Sequence, residues 1–311
     1  MKDLRGIRLK VGTDCSGIEA PIQALRKFKI PYTHEFSSDI DKYVIESIKA
    51  NYKPQRLYGD PEGKYPDGDI RHRDNSTLPK LDLYVAGFPC QGNSNMGKRK
   101  GMGDERGQSV FDACVDTIKH AQPELFILEN VPGIKSVNNG VYWEYVLKTL
   151  NDIGGYNVDY MVLNSKDYGI PQNRKRVFIV GKRGIDLHIN VPDKRPLINW
   201  RTLVEDIDVV DKMYKCMEDI YTKITDDVIV DANVLHHFKN FHKDYTPCML
   251  ARGGLWYVKK HRFLTAREYL NFQGFPKNFK QVVSNFQIKK QAGNSMTVNT
   301  IGRVIQANLK P

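Results

Sequence analysis

Three apolar runs each end or begin with a residue able to do chemistry. Cys90 follows Pro89 at the close of the run 81–87, Glu129 closes the run 125–128, and Arg174 and Arg176 introduce the run 177–180. A thiolate can add to an electron-poor carbon. A carboxyl group at the end of so apolar a run is costly to desolvate, and its pKa is expected to rise. A guanidinium binds carbonyl and phosphate oxygens. Cys90 alone fits a buried structural cysteine better than a nucleophile.

The first run reads as a buried strand in the middle of a parallel sheet, where ligands bind beyond the strand ends, and the other two also read as strands. Pro89 restricts its own φ and that of Phe88, so the cysteine leaves its strand in a defined direction. Ahead of them, 7–13 reads as a strand, 14–21 as a tight turn and 21–28 as a helix with Pro21 near its start. A second strand, 32–38, leads through Asp39-Ile40-Asp41 into a helix at 42–51, with Asp41 as its cap. The Pro-, Gly- and Tyr-rich stretch 52–66 reads as a loop. Helices over 108–120 and 142–150 and a strand over 156–163 continue the alternation. Six to seven strands alternating with helices make a doubly wound α/β sheet the expected fold.

Pro89-Cys90-Gln91, Glu129-Asn130-Val131 and Gln172-Asn173-Arg174-Lys175-Arg176 occur in that order. In this the chain resembles the cytosine-C5 DNA methyltransferase family, and the resemblance extends from about Val11 to Val304. It implies a Rossmann-like, S-adenosylmethionine-dependent methyltransferase domain with a second, smaller target-recognition domain. The expected division is 1–185 completed by 286–311 for catalysis and cofactor, with 186–285 as the small domain and hinge.

The resemblance also implies the site. The turn with Cys15, Ser16, Gly17 and Ile18 would hold S-adenosylmethionine, although Cys15 stands at an aromatic position and Glu19-Ala20 where glycines are usual. Asp39 would take the ribose hydroxyls and Ile40 the adenine ring. Asp69, beside Ile70, would hold the adenine amino group. Gly87, Pro89, Asn294 and Ser295 would be further cofactor neighbours, and S-adenosylhomocysteine the product.

For the reaction, Cys90 would add at C6 of a flipped-out cytosine, Glu129 would bind the N3 edge, and Arg174 and Arg176 the carbonyl side and nearby phosphates. The base that removes the C5 proton is left open, bound water included. The glycine-rich, charged stretch 92–107 is read as a lid, with Gln91, Ser94, Lys98 and Arg99 on DNA. Arg252 and Gly253, in a glycine turn, are further DNA contacts. Residues 262–268 and 274–276 resemble the motif that orders the recognition domain, and Thr265 with Glu268 forms a capping-box pattern.

With 311 residues and 41% hydrophobic content, the chain can bury one large core and a smaller lobe. Its net charge of +11 suits a polyanion such as double-stranded DNA, and is equally found in enzymes that bind none. Five cysteines without a Cys-x-x-Cys pair suggest a reducing compartment and no metal site. His236, His237 and His242 lack the cysteine pair that would complete a zinc site. No stretch approaches a membrane span. The expectation is a soluble, intracellular, monomeric enzyme of restriction–modification type, cytoplasmic in a prokaryote or inside the host cell of a virus. Two other readings stand beside it. One is a tRNA cytosine-C5 methyltransferase, whose Cys-Phe-Thr element is not seen here. The other is a catalytically silent DNA-binding relative.

Overall fold

Runs of Val, Ile, Leu, Phe and Tyr, too apolar to alternate with polar residues, become strands covered on both faces. The computed structural model describes residues 3–89, 105–184, 187–207, 209, 211, 224, 226–233 and 241–310, with backbone only at 105–109. Cys90, Gln91, Ser94, Lys98 and Arg99 lie outside the described residues, as do His236 and His237.

The strands are β1 (Leu9–Asp14), β2 (Tyr32–Ser38), β3 (Arg56–Tyr58), β4 (Leu83–Ala86), β5 (Leu125–Asn130), β6 (Tyr156–Asn164) and β7 (Lys175–Arg183). They form a seven-stranded sheet in the order β3-β2-β1-β4-β5-β7-β6. Pairing is parallel from β3 through β5, and β7 runs antiparallel to β5. The chain winds outward from β1 to β3 and then restarts on the other side at β4. The C-terminal ends of β1 and β4 therefore flank a topological switch point, where open α/β sheets bind ligands.

The connecting helices are α1 (Ala20–Lys27), α2 (Lys42–Asn51), α3 (Glu105–Ala121) and α4 (Val141–Asn151). Phe111, Val115 and Ile118 of α3 and Tyr142, Val146 and Leu150 of α4 share one buried cluster with Tyr84, Phe126, Leu128 and Ile179 of the sheet. Asp41 caps α2 as expected, its side chain accepting from the Tyr43 N–H at 3.0 Å.

Two local expectations are corrected. The stretch 52–66 is not all loop: β3 lies within it, pairing with β2 at Phe36 to Ser38. A strand of three residues at a sheet edge is too short for periodicity to betray. The helix expected from 108 begins at Glu105, inside the stretch read as a lid; the rest of that stretch lies outside the described residues.

The chain divides into two compact units. The first comprises Met1–Leu163, Lys175–Pro192 and Ile301–Pro311, and the second Asn164–Arg174 and Asp193–Thr300. The second unit thus takes in the Gln-x-Arg end at 172–174 and runs past the expected boundary at 285. It contains a three-stranded antiparallel sheet of β8 (Ile229–Asp231), β9 (Leu255–Tyr257) and β10 (Arg262–Phe263), with β9 central. Among the described residues its helices are α5 (Ala266–Phe272) and α6 (Asn285–Asn294), and α7 (Val298–Asn308) follows. The capping box at α5 is complete: the Glu268 N–H donates to Thr265 Oγ1 at 3.1 Å and the Thr265 N–H to Glu268 Oε2 at 2.7 Å. Among the described residues no helix is long and apolar enough to cross a membrane.

Candidate functional site

Every residue of β5 is buried, and Glu129 stands next to its end. Because β7 is antiparallel, its first residues lie at that same end, with Asn130 opposite Val177 and Glu129 opposite Phe178. Arg176 is thereby brought to the carboxylate, its Nε 3.1 Å from Glu129 Oε1, with the two side chains 14% and 11% exposed. A guanidinium beside a carboxylate, both largely out of water, is a preorganised pair of charges that can face a polar ring edge.

Asn130 holds the neighbouring loop. Its Nδ2 donates to the Phe88 carbonyl at 3.0 Å, while its Oδ1 accepts from the Val131 N–H at 2.8 Å. Phe88 is buried against Phe111, ring centres 5.4 Å apart, and Pro89 is exposed. The chain is therefore held at Phe88, two residues before Cys90. Sequence reasoning placed Glu129 in the site and passed over Asn130, although the amide side chain next to it at a strand end was the available signal.

Arg174, expected on the carbonyl side of a substrate base, is 2% exposed, and its two Nη atoms bond backbone carbonyls of the second unit. Nη1 donates to the Met249 carbonyl at 3.0 Å, and Nη2 to those of Gly293 at 3.0 Å and Ser295 at 2.7 Å. These bonds join the chain at 249 to the end of α6. Gln172 beside it works likewise, its Nε2 donating to the Phe272 carbonyl at 3.1 Å and its Oε1 accepting from the Met249 N–H at 3.1 Å.

The residues expected around the cofactor fall into two groups. In the first unit, the turn after β1 meets the end of β2. The Gly17 N–H donates to Asp39 Oδ2 and the Asp41 N–H to Oδ1, both at 2.9 Å. Ser16 adds to this seam, its N–H donating to the Ser38 carbonyl at 3.0 Å and its Oγ accepting from the Ser38 N–H at 3.1 Å. Cys15 takes a left-handed φ of 47° and packs against the sheet's core cluster, and Ile18 is fully buried. Gly87 is half-buried at the end of β4. In the second unit, Asn294 is exposed and Ser295 buried, its N–H closing α6 on the Gln291 carbonyl at 3.0 Å.

The donor set fits an adenine nucleoside. Desolvation raises the Asp39 carboxyl to about 6, against the lowering effect of its two N–H donors. Each oxygen uses one lone pair on those donors and keeps another for a hydroxyl. Ile40 beside it is 78% exposed, an apolar shelf of the size of a ring edge. Asp69 accepts from Arg71 Nε at 2.9 and 3.0 Å, and that bond holds its carboxyl below the usual range, so it remains an acceptor fit for an amino group.

Arg252 and Gly253 lie in a turn closed by the Gly253 N–H on the Leu250 carbonyl at 3.0 Å. The Arg252 side chain is 55% exposed, with Nη2 3.9 Å from Asp231 Oδ2. Beyond Asn130, sequence reasoning missed a buried pair, Asp14 with Arg73, whose side chains are 0% and 5% exposed. An acid at the end of the apolar β1 was the signal.

A family model described as C-5 cytosine-specific DNA methylase matches residues 14–252 and 199–310. Type II methyltransferase M1.ScrFI of Lactococcus lactis subsp. cremoris is 33% identical over 291 residues, covering 88% of this chain and 72% of the relative. Type II methyltransferase M.NgoBI of Neisseria gonorrhoeae is 34% identical over 282 residues, covering 86% and 84%. Among solved structures, the S. pombe Dnmt2 methyltransferase superimposes with a TM-score of 0.67 over 96% of this chain and 97% of that one. At 19% identity that likeness speaks for the fold alone.

Proposed function

Since the chain belongs to the C-5 cytosine-specific DNA methylase family, we propose that it transfers a methyl group from S-adenosylmethionine to C5 of a cytosine flipped out of duplex DNA. The observation that carries this reading is the Glu129–Arg176 pair beside the Asn130-held chain that runs into Cys90. S-adenosylmethionine, when bound, supplies an electrophilic methyl carbon. Asp39, Ile40, Asp69 and the turn at 15–18 would hold it, with Gly87 and Pro89 as neighbours.

The chain's own residues then activate the ring. The Cys90 thiolate forms a bond to C6, the C5–C6 π bond breaks, and its electron pair moves into the ring to make C5 a nucleophile. Glu129, in its protonated form, meets the N3 edge and gives N3 its proton while that charge develops, taking it back once C5 is methylated. Arg176, held by Glu129, presents its remaining N–H groups to the ring carbonyl. After methylation the C5 proton leaves to a base, the C5–C6 double bond re-forms, and the C6–sulfur bond breaks to release Cys90.

We assign the first unit to catalysis and cofactor and the second to DNA through Arg252 and Gly253, with Gln91, Ser94, Lys98 and Arg99 of the first unit as further contacts to bases and phosphates. Relatives named as Type II methyltransferases support a place in a restriction–modification system.

Transfer of labelled methyl groups to duplex DNA, and separately to tRNA, tests the reading with wild type and Cys90→Ser. Label on DNA that vanishes in the variant, with DNA still bound, is the expected result. Label confined to tRNA would move the chain to an RNA substrate. Full turnover by Cys90→Ser would remove the nucleophile.

A further inference from the structure

The segment between β3 and β4 that carries Asp69 and Ile70 is pinned at both ends. At its start, Ser38 Oγ donates to the Gly68 carbonyl at 3.0 Å. Gly68 runs so close to β2 that a Cβ there would lie 2.0 Å from the Asp39 carbonyl oxygen. At its far end, Arg73 closes on Asp14, the last residue of β1, with Nη1 2.7 Å from Oδ1 and Nη2 2.6 Å from Oδ2.

Four further elements converge on that ion pair. Tyr84 of β4 donates its hydroxyl to Asp14 Oδ2 at 2.8 Å, and Arg73 Nη2 donates to Thr117 Oγ1 of α3 at 2.8 Å. Arg73 Nε donates to Asn75 Oδ1 at 2.7 Å. The guanidinium stacks 4.9 Å from the ring centre of Phe36 on β2 and 5.0 Å from that of Tyr58 on β3.

A buried ion pair gains little stability over apolar residues of the same volume, because desolvation offsets the attraction. What a bidentate, stacked guanidinium adds is direction: it fixes the plane and the angle at which one backbone segment meets another. Here the two segments are the turn leading from Asp14 into Cys15 and the span from Gly68 to Arg73. One is expected to face the amino acid end of the methyl donor, and the other its adenine.

Resting on the reading that S-adenosylmethionine binds here, we propose that Arg73 and Asp14 are positioning residues for the cofactor. Their ion pair locks the Asp69–Ile70 span to the β1 turn, so that the two sides of the pocket keep one spacing. Neither side chain need touch the cofactor; each acts through the backbone it holds.

The test is calorimetric titration with S-adenosylhomocysteine, alongside thermal melts and methylation kinetics on duplex DNA. Wild type is compared with Arg73→Lys and with the double variant Asp14→Leu/Arg73→Met. Removing both charges leaves no unpaired buried ion, so the double variant is expected to fold. Its affinity for S-adenosylhomocysteine should fall about tenfold, as when a supporting shell is removed from a site. The loss should appear in KM for S-adenosylmethionine rather than in kcat. Arg73→Lys, which keeps the charge and loses the fork, should fall in between, and it decides the matter alone if the double variant precipitates.

Folded variants that bind as tightly as wild type overturn the proposal. So does a fall in melting temperature and kcat with KM unchanged, which marks a purely structural pair. A wild-type protein that binds no S-adenosylhomocysteine defeats the cofactor reading itself, and is seen before any variant is made.

Discussion

Arg176 Nε sits 3.1 Å from Glu129 Oε1, joining the start of one strand to the end of its antiparallel neighbour. Arg176 also donates through Nη1 to the Lys175 carbonyl at 2.7 Å, so its guanidinium is oriented from two sides. Such a group can stabilise developing charge without reorganising when the charge appears.

Arg176→Lys should therefore lower the single-turnover methylation rate by roughly a hundredfold, the scale for losing an oriented donor. Affinity for S-adenosylhomocysteine and the melting temperature should change little. A rate within twofold or so of wild type would place the guanidinium outside the chemistry.

Arg174 calls for the opposite outcome. Arg174→Met removes three charged hydrogen bonds to backbone carbonyls, of which, among the described residues, only that of Ser295 keeps a nitrogen donor, Gln273 Nε2 at 3.4 Å. Unfolding in urea should show a loss of about 3 kcal/mol or more, in the range for breaking a buried charged hydrogen-bond set. Equal stability of Arg174→Met and Arg176→Met would contradict this division of labour between the two arginines.

Asp39 makes a pH-dependent prediction. Its folded pKa of about 6 lies above the ordinary 3.8, chiefly through desolvation. The native state then holds the extra proton between those values, so this group's contribution to stability falls as pH rises through the window and is constant above it. Melting curves of Asp39→Asn should gain on wild type from about pH 4 to about pH 6 and then run parallel. Cofactor affinity should move the other way. Wild type should bind S-adenosylhomocysteine more weakly as pH drops through about 6, because the carboxylate loses acceptor capacity. Asp39→Asn should be weak throughout, and a flat wild-type profile would take Asp39 out of the ribose contact.

Where the chain's own chemistry is local, the sequence was sufficient to read it. The apolar runs around 83–86 and 125–130, the cap at Asp41 and the capping box at Thr265 and Glu268 all follow from propensity and spacing. What could not be read is what depends on partners far along the chain. Periodicity says that 175–183 is a strand but not which way it runs, and only the antiparallel direction brings Arg176 to Glu129. Two arginines in one short motif look alike in sequence. One ends beside a carboxylate of the first unit and the other among carbonyls of the second. Asp14, closing an apolar strand, was legible as a buried acid, whereas Arg73 looks like a surface residue until the fold supplies Asp14.

That boundary has a consequence for engineering. The chain passes between the units after Leu163, Arg174, Pro192 and Thr300, so the second unit is assembled from two separate stretches of sequence. Gln172 and Arg174 on the short stretch hold carbonyls and amides of the long one. A transplant that moves residues 193–300 alone into another scaffold leaves those bonds to whatever the recipient offers. Grafted modules should keep their shape when residues 164–174 travel with them, and lose it when they do not.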